Sequence, residues 1–149
     1  MAQPSARRQT ASPHEAGQEQ NGARVRTRAT GLYPFVPSGA DFKLALAFFA
    51  ELGFDKTWEH DGLAGLRWGG AYFMLQSIDV PEWQKNQMIT IEVEDLDAYW
   101  SELEPKGLPA RFAGVRLKPP TDFPWGREIH IIDPAGVCWH VRQSAKPAA

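Results

Sequence analysis

The strongest constraint on this chain is that residues 30–143 run through one series of patterns twice: a short apolar strand, an amphipathic helix, and three more strands. The first series opens with a strand over 32–36. Ser38 and Asp41 then resemble a capping pair, and the apolar positions Phe42, Leu46 and Phe49 recur at helical spacing. Gly53 stands where a helix C-terminus favours glycine. Strands are expected at 54–59, 63–68 and 72–76, with Gly69-Gly70 turning the last hairpin. The second series begins at 88–93, where apolar and polar residues alternate. Asp95 caps a helix that runs to Leu103 and closes before Pro105 and Gly107. Strands at 110–115, 128–132 and 137–141 complete it, and Asp133-Pro134-Ala135-Gly136 forms the final turn.

A single strand–helix–three-strand unit leaves one face of its sheet bare, so two such units must cover each other or a partner chain. The expected fold class is therefore α+β: two βαβββ modules, about 30–80 and 86–143, whose curved mixed sheets surround a concave groove. Such a groove suits a small molecule. A length of 149 residues allows one such domain.

Residues 1–29 are rich in Ala, Gln, Arg, Ser and Thr and read as a disordered leader, and 144–149 as a C-terminal tail. The leader carries Arg7, Arg8, Arg24, Arg26 and Arg28 against Glu15 and Glu19, a charge of +3. The remainder is then at −5 for a chain total of −2. An acidic folded part suits a cationic partner, and nothing in the overall charge points to nucleic acid. One cysteine, Cys138, excludes an internal disulfide. No apolar run has the length of a membrane span, and no secretory signal precedes the domain, so the expected location is the cytoplasm.

Particular motifs carry a family resemblance. Phe48-Phe49-Ala50-Glu51-Leu52-Gly53-Phe54 and Glu94-Asp95-Leu96-Asp97-Ala98 resemble the vicinal-oxygen-chelate superfamily of glyoxalase I, extradiol dioxygenases and bleomycin-resistance proteins. Pro124-Trp125-Gly126-Arg127-Glu128 followed by Asp133-Pro134-Ala135-Gly136-Val137-Cys138-Trp139-His140 resembles the bleomycin-resistance branch more sharply. Asp61-Gly62-Leu63-Ala64-Gly65-Leu66 supports that match. The resemblance covers about residues 32–143. It implies a homodimer with ligand grooves at the subunit boundary, and sequestration of a cationic glycopeptide antibiotic without chemistry and without a cofactor.

The resemblance also places Trp58 and Trp125 beside the ligand. Around them the expected ligand-binding set is Glu59, Asp61, Leu63, Thr90, Glu92 and Arg127, in which Glu59, Asp61 and Glu92 form an acidic rim about an aromatic floor that would attract a flat cation. Thr90 and Glu92 depart from the family, whose drug-binding members carry an aromatic near these positions. Catalytic relatives hold a divalent metal with four side chains, two per module. Here the matching positions near residues 31–33 and at Met88 offer no ligand, leaving only Gln76 and His140. If the last turn spans 133–136, Ile132 pairs with Val137 and Ile129 with His140. His130 and His140 would then lie on opposite faces of the sheet. The alternative to a metal-independent binding protein is a divergent metal-dependent lyase or dioxygenase.

Overall fold

The computed structural model describes residues 23–145. The expected leader therefore falls largely outside the described residues, as does 146–149 of the expected tail. Residues 23–32 are exposed and form no helix or strand. Among the described residues no helix is long and apolar enough to cross a membrane.

Residues 33–145 belong to one compact unit. Its first half contains β1 (Phe35–Pro37), α1 (Phe42–Leu52), β2 (Asp55–His60), β3 (Leu63–Trp68) and β4 (Ala71–Gln76). After α2 (Pro81–Gln84) the second half follows with β5 (Met88–Val93), α3 (Leu96–Leu103), α4 (Leu108–Arg111), β6 (Arg116–Phe123), β7 (Gly126–Ile132) and β8 (Cys138–Gln143). The strand orders are β1-β4-β3-β2 and β5-β8-β7-β6. In each sheet the first strand lies parallel to the last and the other pairs are antiparallel. The βαβββ repeat is thus present twice, as two open mixed sheets.

Local chemistry explains both long helices. Asp41 and Asp95 accept hydrogen bonds from the amides of Leu44 and Ala98, each at 3.0 Å, satisfying donors that the first turn leaves free. Gly53 ends α1 at φ 124°, and a Cβ there would sit 3.0 Å from the Trp68 indole. Both the backbone angle and the packing therefore require glycine. The buried face of α1 is Ala45, Phe48, Phe49 and Leu52, whereas Phe42 and Leu46 lie at its margin.

The inner faces of the two sheets share one core. Phe49 of α1 packs edge-on against Phe73 of β4 at 5.0 Å and Trp139 of β8 at 5.3 Å, and Phe73 meets Trp139 at 5.1 Å. Tyr99 of α3 donates to the Leu52 carbonyl at 2.9 Å, and its ring lies 5.0 Å from that of Trp68. Aromatic pairs of this kind contribute about 0.5–1.5 kcal/mol each beyond simple burial. Because the inner faces meet, the outer faces are turned away from each other.

Three expectations need correction. The first strand begins at Phe35, not Leu32, because only Phe35–Pro37 pair with β4. The stretch 110–115 is not a strand. Leu108, Phe112 and Val115 are buried at helical spacing, and Pro109 sits in the first turn of α4. The strand comes later, as β6, where Pro119-Pro120 interrupts the register between Lys118 and Thr121. Prolines are tolerated there because β6 is an edge strand. Finally, the β7–β8 turn holds one more residue than expected. Asp133 N–H donates to the Val137 carbonyl, Ile132 pairs with Cys138, and His130 pairs with His140. That one-residue slip brings the two histidines onto the same face.

Candidate functional site

Strand alternation and register decide which side chains reach the outer faces. On the first sheet these include Trp58, Leu63, Arg67, Tyr72, Met74 and Gln76. Trp58 lies opposite Gly65, whose missing side chain lets the indole lie against the sheet. Its Nε1 donates to Tyr72 Oη at 2.7 Å, and the Arg67 guanidinium sits 4.7 Å above the Tyr72 ring. Trp58 remains 39 % exposed, a large share for an aromatic side chain already held by a hydrogen bond. A cavity of about 480 Å³ opens beside it, lined by Tyr33, Thr57, Arg67, Tyr72 and Met74.

The outer face of the second sheet is built in rows. Thr90, His140, His130 and Lys118 are aligned across the four strands, and Glu92, Arg142, Glu128 and Thr121 form the next row. At its centre Glu128 is only 4 % exposed. Its Oε1 accepts from Trp125 Nε1 at 2.7 Å, while Oε2 lies 2.9 Å from His130 Nε2 and 2.7 Å from His140 Nδ1. Burial disfavours this carboxylate, but hydrogen bonds from both histidines and Trp125, with the charge of His140, outweigh it and hold its carboxyl below the usual range. Trp125 stacks on Phe123 at 4.9 Å, and Phe123 stacks on His130 at 4.8 Å. Lys118 Nζ lies 5.1 Å from the centre of the Phe123 ring. The outer end of this stack is Trp125, 64 % exposed, so a planar ligand could extend it.

The residues expected at the ligand fall into several places. Trp58 and Leu63 share the first outer face, and Thr90 and Glu92 the second, with Glu92 facing Arg142 at 3.7 Å. Trp125 lies in the β6–β7 turn above that second face. Glu59 instead pairs with Lys56 at 2.9 Å, opposite the buried Ala64. Asp61 occupies the β2–β3 turn at φ 46° beside His60. Arg127 turns toward α3 and bonds Asp97 at 2.9 Å. Gln76 and His140 lie on different sheets. The four-ligand metal set of catalytic relatives does not fit this chain, because the matching strand start is Met88, a thioether and not a carboxylate or imidazole.

Sequence reading missed Tyr72, Arg67, Phe123 and Glu128, and set His130 on the wrong face. The alternation of Glu128 and His130 around buried Ile129 was the available signal, and the assumed turn length concealed it. A second cavity, about 780 Å³, runs along the outer edge of β5 and includes Thr90, Glu92, Trp68 and the Gly69-Gly70 turn. Its walls are the edge strand β5, the β3–β4 turn and the face of α3 that carries Ala98, Tyr99 and Glu102.

No family model matches the chain, and no curated protein matches it. Solved structures do. The fold is that of the glyoxalase/bleomycin-resistance group, and within it the chain resembles the bleomycin-binding branch. The bleomycin-binding protein of the bleomycin producer Streptomyces verticillus, complexed with copper(II)-bleomycin, is 27 % identical. That match covers 80 % of this chain and 99 % of that one, with a TM-score of 0.69. The bleomycin resistance determinant encoded on transposon Tn5 is 20 % identical over 79 % of this chain and 100 % of its own, with a TM-score of 0.68. A fosfomycin resistance protein of Listeria monocytogenes, complexed with Mn(II) and sulfate, is 14 % identical over 79 % and 93 %, with a TM-score of 0.60.

Proposed function

We propose that this chain is a cytoplasmic, metal-independent binding protein that sequesters a bleomycin-type cationic glycopeptide antibiotic and so confers resistance. The observation that carries the reading is the aromatic make-up of the two outer faces, Trp58 with Tyr72 on one and Trp125 with Phe123 on the other. Soluble proteins seldom leave such surfaces bare without a ligand or partner for them. The copper(II)-bleomycin complex of the 27 % identical neighbour supports the choice of ligand.

The working unit is a homodimer. Enclosing a drug-sized molecule requires burial of most of its surface. One chain offers two outer faces turned away from each other, and a second copy supplies the opposing wall. The turn residue Asp61 adds negative charge beside the first face, which favours a planar ligand with a positive tail, and Glu92 on the second face shares its charge with Arg142. Leu63 and Thr90 complete the walls, and Glu59 and Arg127 stand at their rims with their charges paired to Lys56 and Asp97.

The test is a titration of the chelator-treated protein with metal-free bleomycin, read by tryptophan fluorescence and calorimetry. Saturable binding at micromolar concentration or tighter, near one drug per subunit, supports sequestration. Absence of binding at hundreds of micromolar rejects the antibiotic while leaving the fold intact.

A further inference from the structure

We propose that Glu128, His130 and His140 form a binding site for a divalent transition-metal ion of the zinc type, made by the second sheet alone. The three side chains present ligand atoms that all lie within 4.8 Å of one another. His130 Nε2 and His140 Nδ1 both converge on Glu128 Oε2, at 2.9 and 2.7 Å. Two imidazole nitrogens and one carboxylate oxygen are the donor set that borderline metals such as zinc, cobalt, nickel and copper prefer over magnesium or calcium.

The geometry is close to what an ion needs. With metal–ligand bonds of about 2.0–2.1 Å in a tetrahedron, neighbouring donors sit roughly 3.3 Å apart. The cluster must open by about half an ångström from its hydrogen-bonded spacing. The surroundings already orient the donors. Trp125 Nε1 occupies Glu128 Oε1 at 2.7 Å, which leaves Oε2 for the imidazoles or for one metal bond. Phe123 stacks flat on His130 at 4.8 Å and fixes its ring plane. Outer contacts of this kind hold metal ligands in place.

One polar atom of the cluster lacks a partner. His140 Nε2 is buried without a hydrogen-bond partner, the sole such side-chain nitrogen or oxygen among the described residues. Buried polar atoms are rarely left so, and the hydrogen-bonded cluster alone gives this one no compensation. A cation replacing the shared protons through Nδ1 would leave Nε2 as it is and offset the charge of the buried carboxylate. One group opposes the site: Lys118 shares the row of His130, though its ammonium lies over the Phe123 ring. Three protein ligands leave a coordination position free on the outer face, where a donor atom of a bound molecule could complete the shell.

This site differs from the set expected for catalytic relatives. It draws three ligands from one module, two of them on β7, and uses neither Gln76 nor the start of β5. It also stands apart from the antibiotic reading, because the test contains no drug.

The full, tag-free, chelator-treated chain is titrated with cobalt(II) and with zinc(II) alone. Expected are one equivalent per chain at micromolar affinity or tighter, tetrahedral cobalt absorption in the visible, and displacement of cobalt by zinc. H130A and H140A each weaken binding at least 100-fold. H130Q can still donate to Glu128, so it preserves the fold, and it weakens binding at least tenfold. A double variant, H14A with H60A, and separately Gln76→Ala, bind as the parent does. Absence of binding at hundreds of micromolar overturns the proposal, as does binding that survives in the folded H130Q and H140A variants.

Discussion

Gly65→Ala separates the groove from the fold. A Cβ at Gly65 would run into Trp58 Nε1 and Tyr72 Oη and stand 2.7 Å from Trp58 Cδ1, so the indole has to leave its seat. The 2.7 Å bond between Trp58 and Tyr72 breaks with it. A neutral hydrogen bond contributes about 1 kcal/mol net, and exposed partners recover part of that from water. Alanine in place of glycine within a strand returns about 0.5–1 kcal/mol. Stability should therefore change by less than about 1 kcal/mol, a shift of a few degrees in Tm. Antibiotic affinity should fall much further. If Trp58 stacks on the ligand, misplacing it costs about 2 kcal/mol, or roughly 30-fold in Kd. Thermal unfolding and fluorescence titration of the same preparation measure both. Trp58→Phe serves as the partner variant: it keeps one aromatic ring, and loses the bond together with part of the stacking surface. An unchanged Kd in a folded Gly65→Ala protein would refute the assignment of Trp58 to the groove. A loss of several kcal/mol in stability would refute the packing argument.

Other outcomes follow from the same structure. Asp133 is buried and accepts from the Ala135 and Val137 amides and from Trp139 Nε1, at 2.9, 3.0 and 2.9 Å. Asp133→Asn turns an amide group toward the indole donor or the loop amides and should cost about 1–3 kcal/mol in denaturant unfolding. Burial, working against those hydrogen bonds, pushes the Asp133 carboxyl up to about 6 from its ordinary 3.8. The folded state thus holds this proton more tightly than the unfolded chain. The resulting stabilisation is present below about pH 4 and is lost as pH rises through 6, and Asp133→Asn should flatten that limb of a stability–pH curve. Glu51 bonds Arg111 at 2.7 Å and Lys106 at 3.2 Å, and both lower its pKa. Glu51→Gln should cost no more than about 1 kcal/mol, less at high salt, because all three groups are partly exposed. Trp125→Ala removes the outer end of the aromatic stack and a donor to Glu128, so drug affinity should fall about tenfold or more with little change in far-UV dichroism.

Much of the fold was legible because local and tertiary preferences agree. Asp41 and Asp95 mark both long helices, Gly53 ends the first, Gly69-Gly70 separates β3 from β4, and alternation delimits β5. Legibility failed where a tertiary contact decided between two readings. The stretch 110–115 can be taken as a strand until the burial of Leu108, Phe112 and Val115 in the shared core selects one helical turn. The Pro119-Pro120 pair looks like a loop, yet a bulged edge strand accommodates it. The candidate site suffered most from one residue in one turn. Extending the 133–136 turn to include Val137 reverses the face of every residue in β8 relative to β7, and with it the fate of His140. Trp58 and Trp125 were visible in the sequence as exposed-site candidates, whereas Tyr72 and Phe123 were hidden among ordinary alternating strand residues.

Protection of plasmid DNA from bleomycin cleavage, measured at a fixed concentration of protein as the drug is increased, tests sequestration most directly. The account predicts full protection up to one drug per subunit and cleavage at the ordinary rate for each molecule beyond that, with the bound drug recovered intact. Cleavage from the first addition would contradict binding. Protection that persists at many drugs per subunit, with the drug chemically altered, would contradict sequestration and make the protein an enzyme.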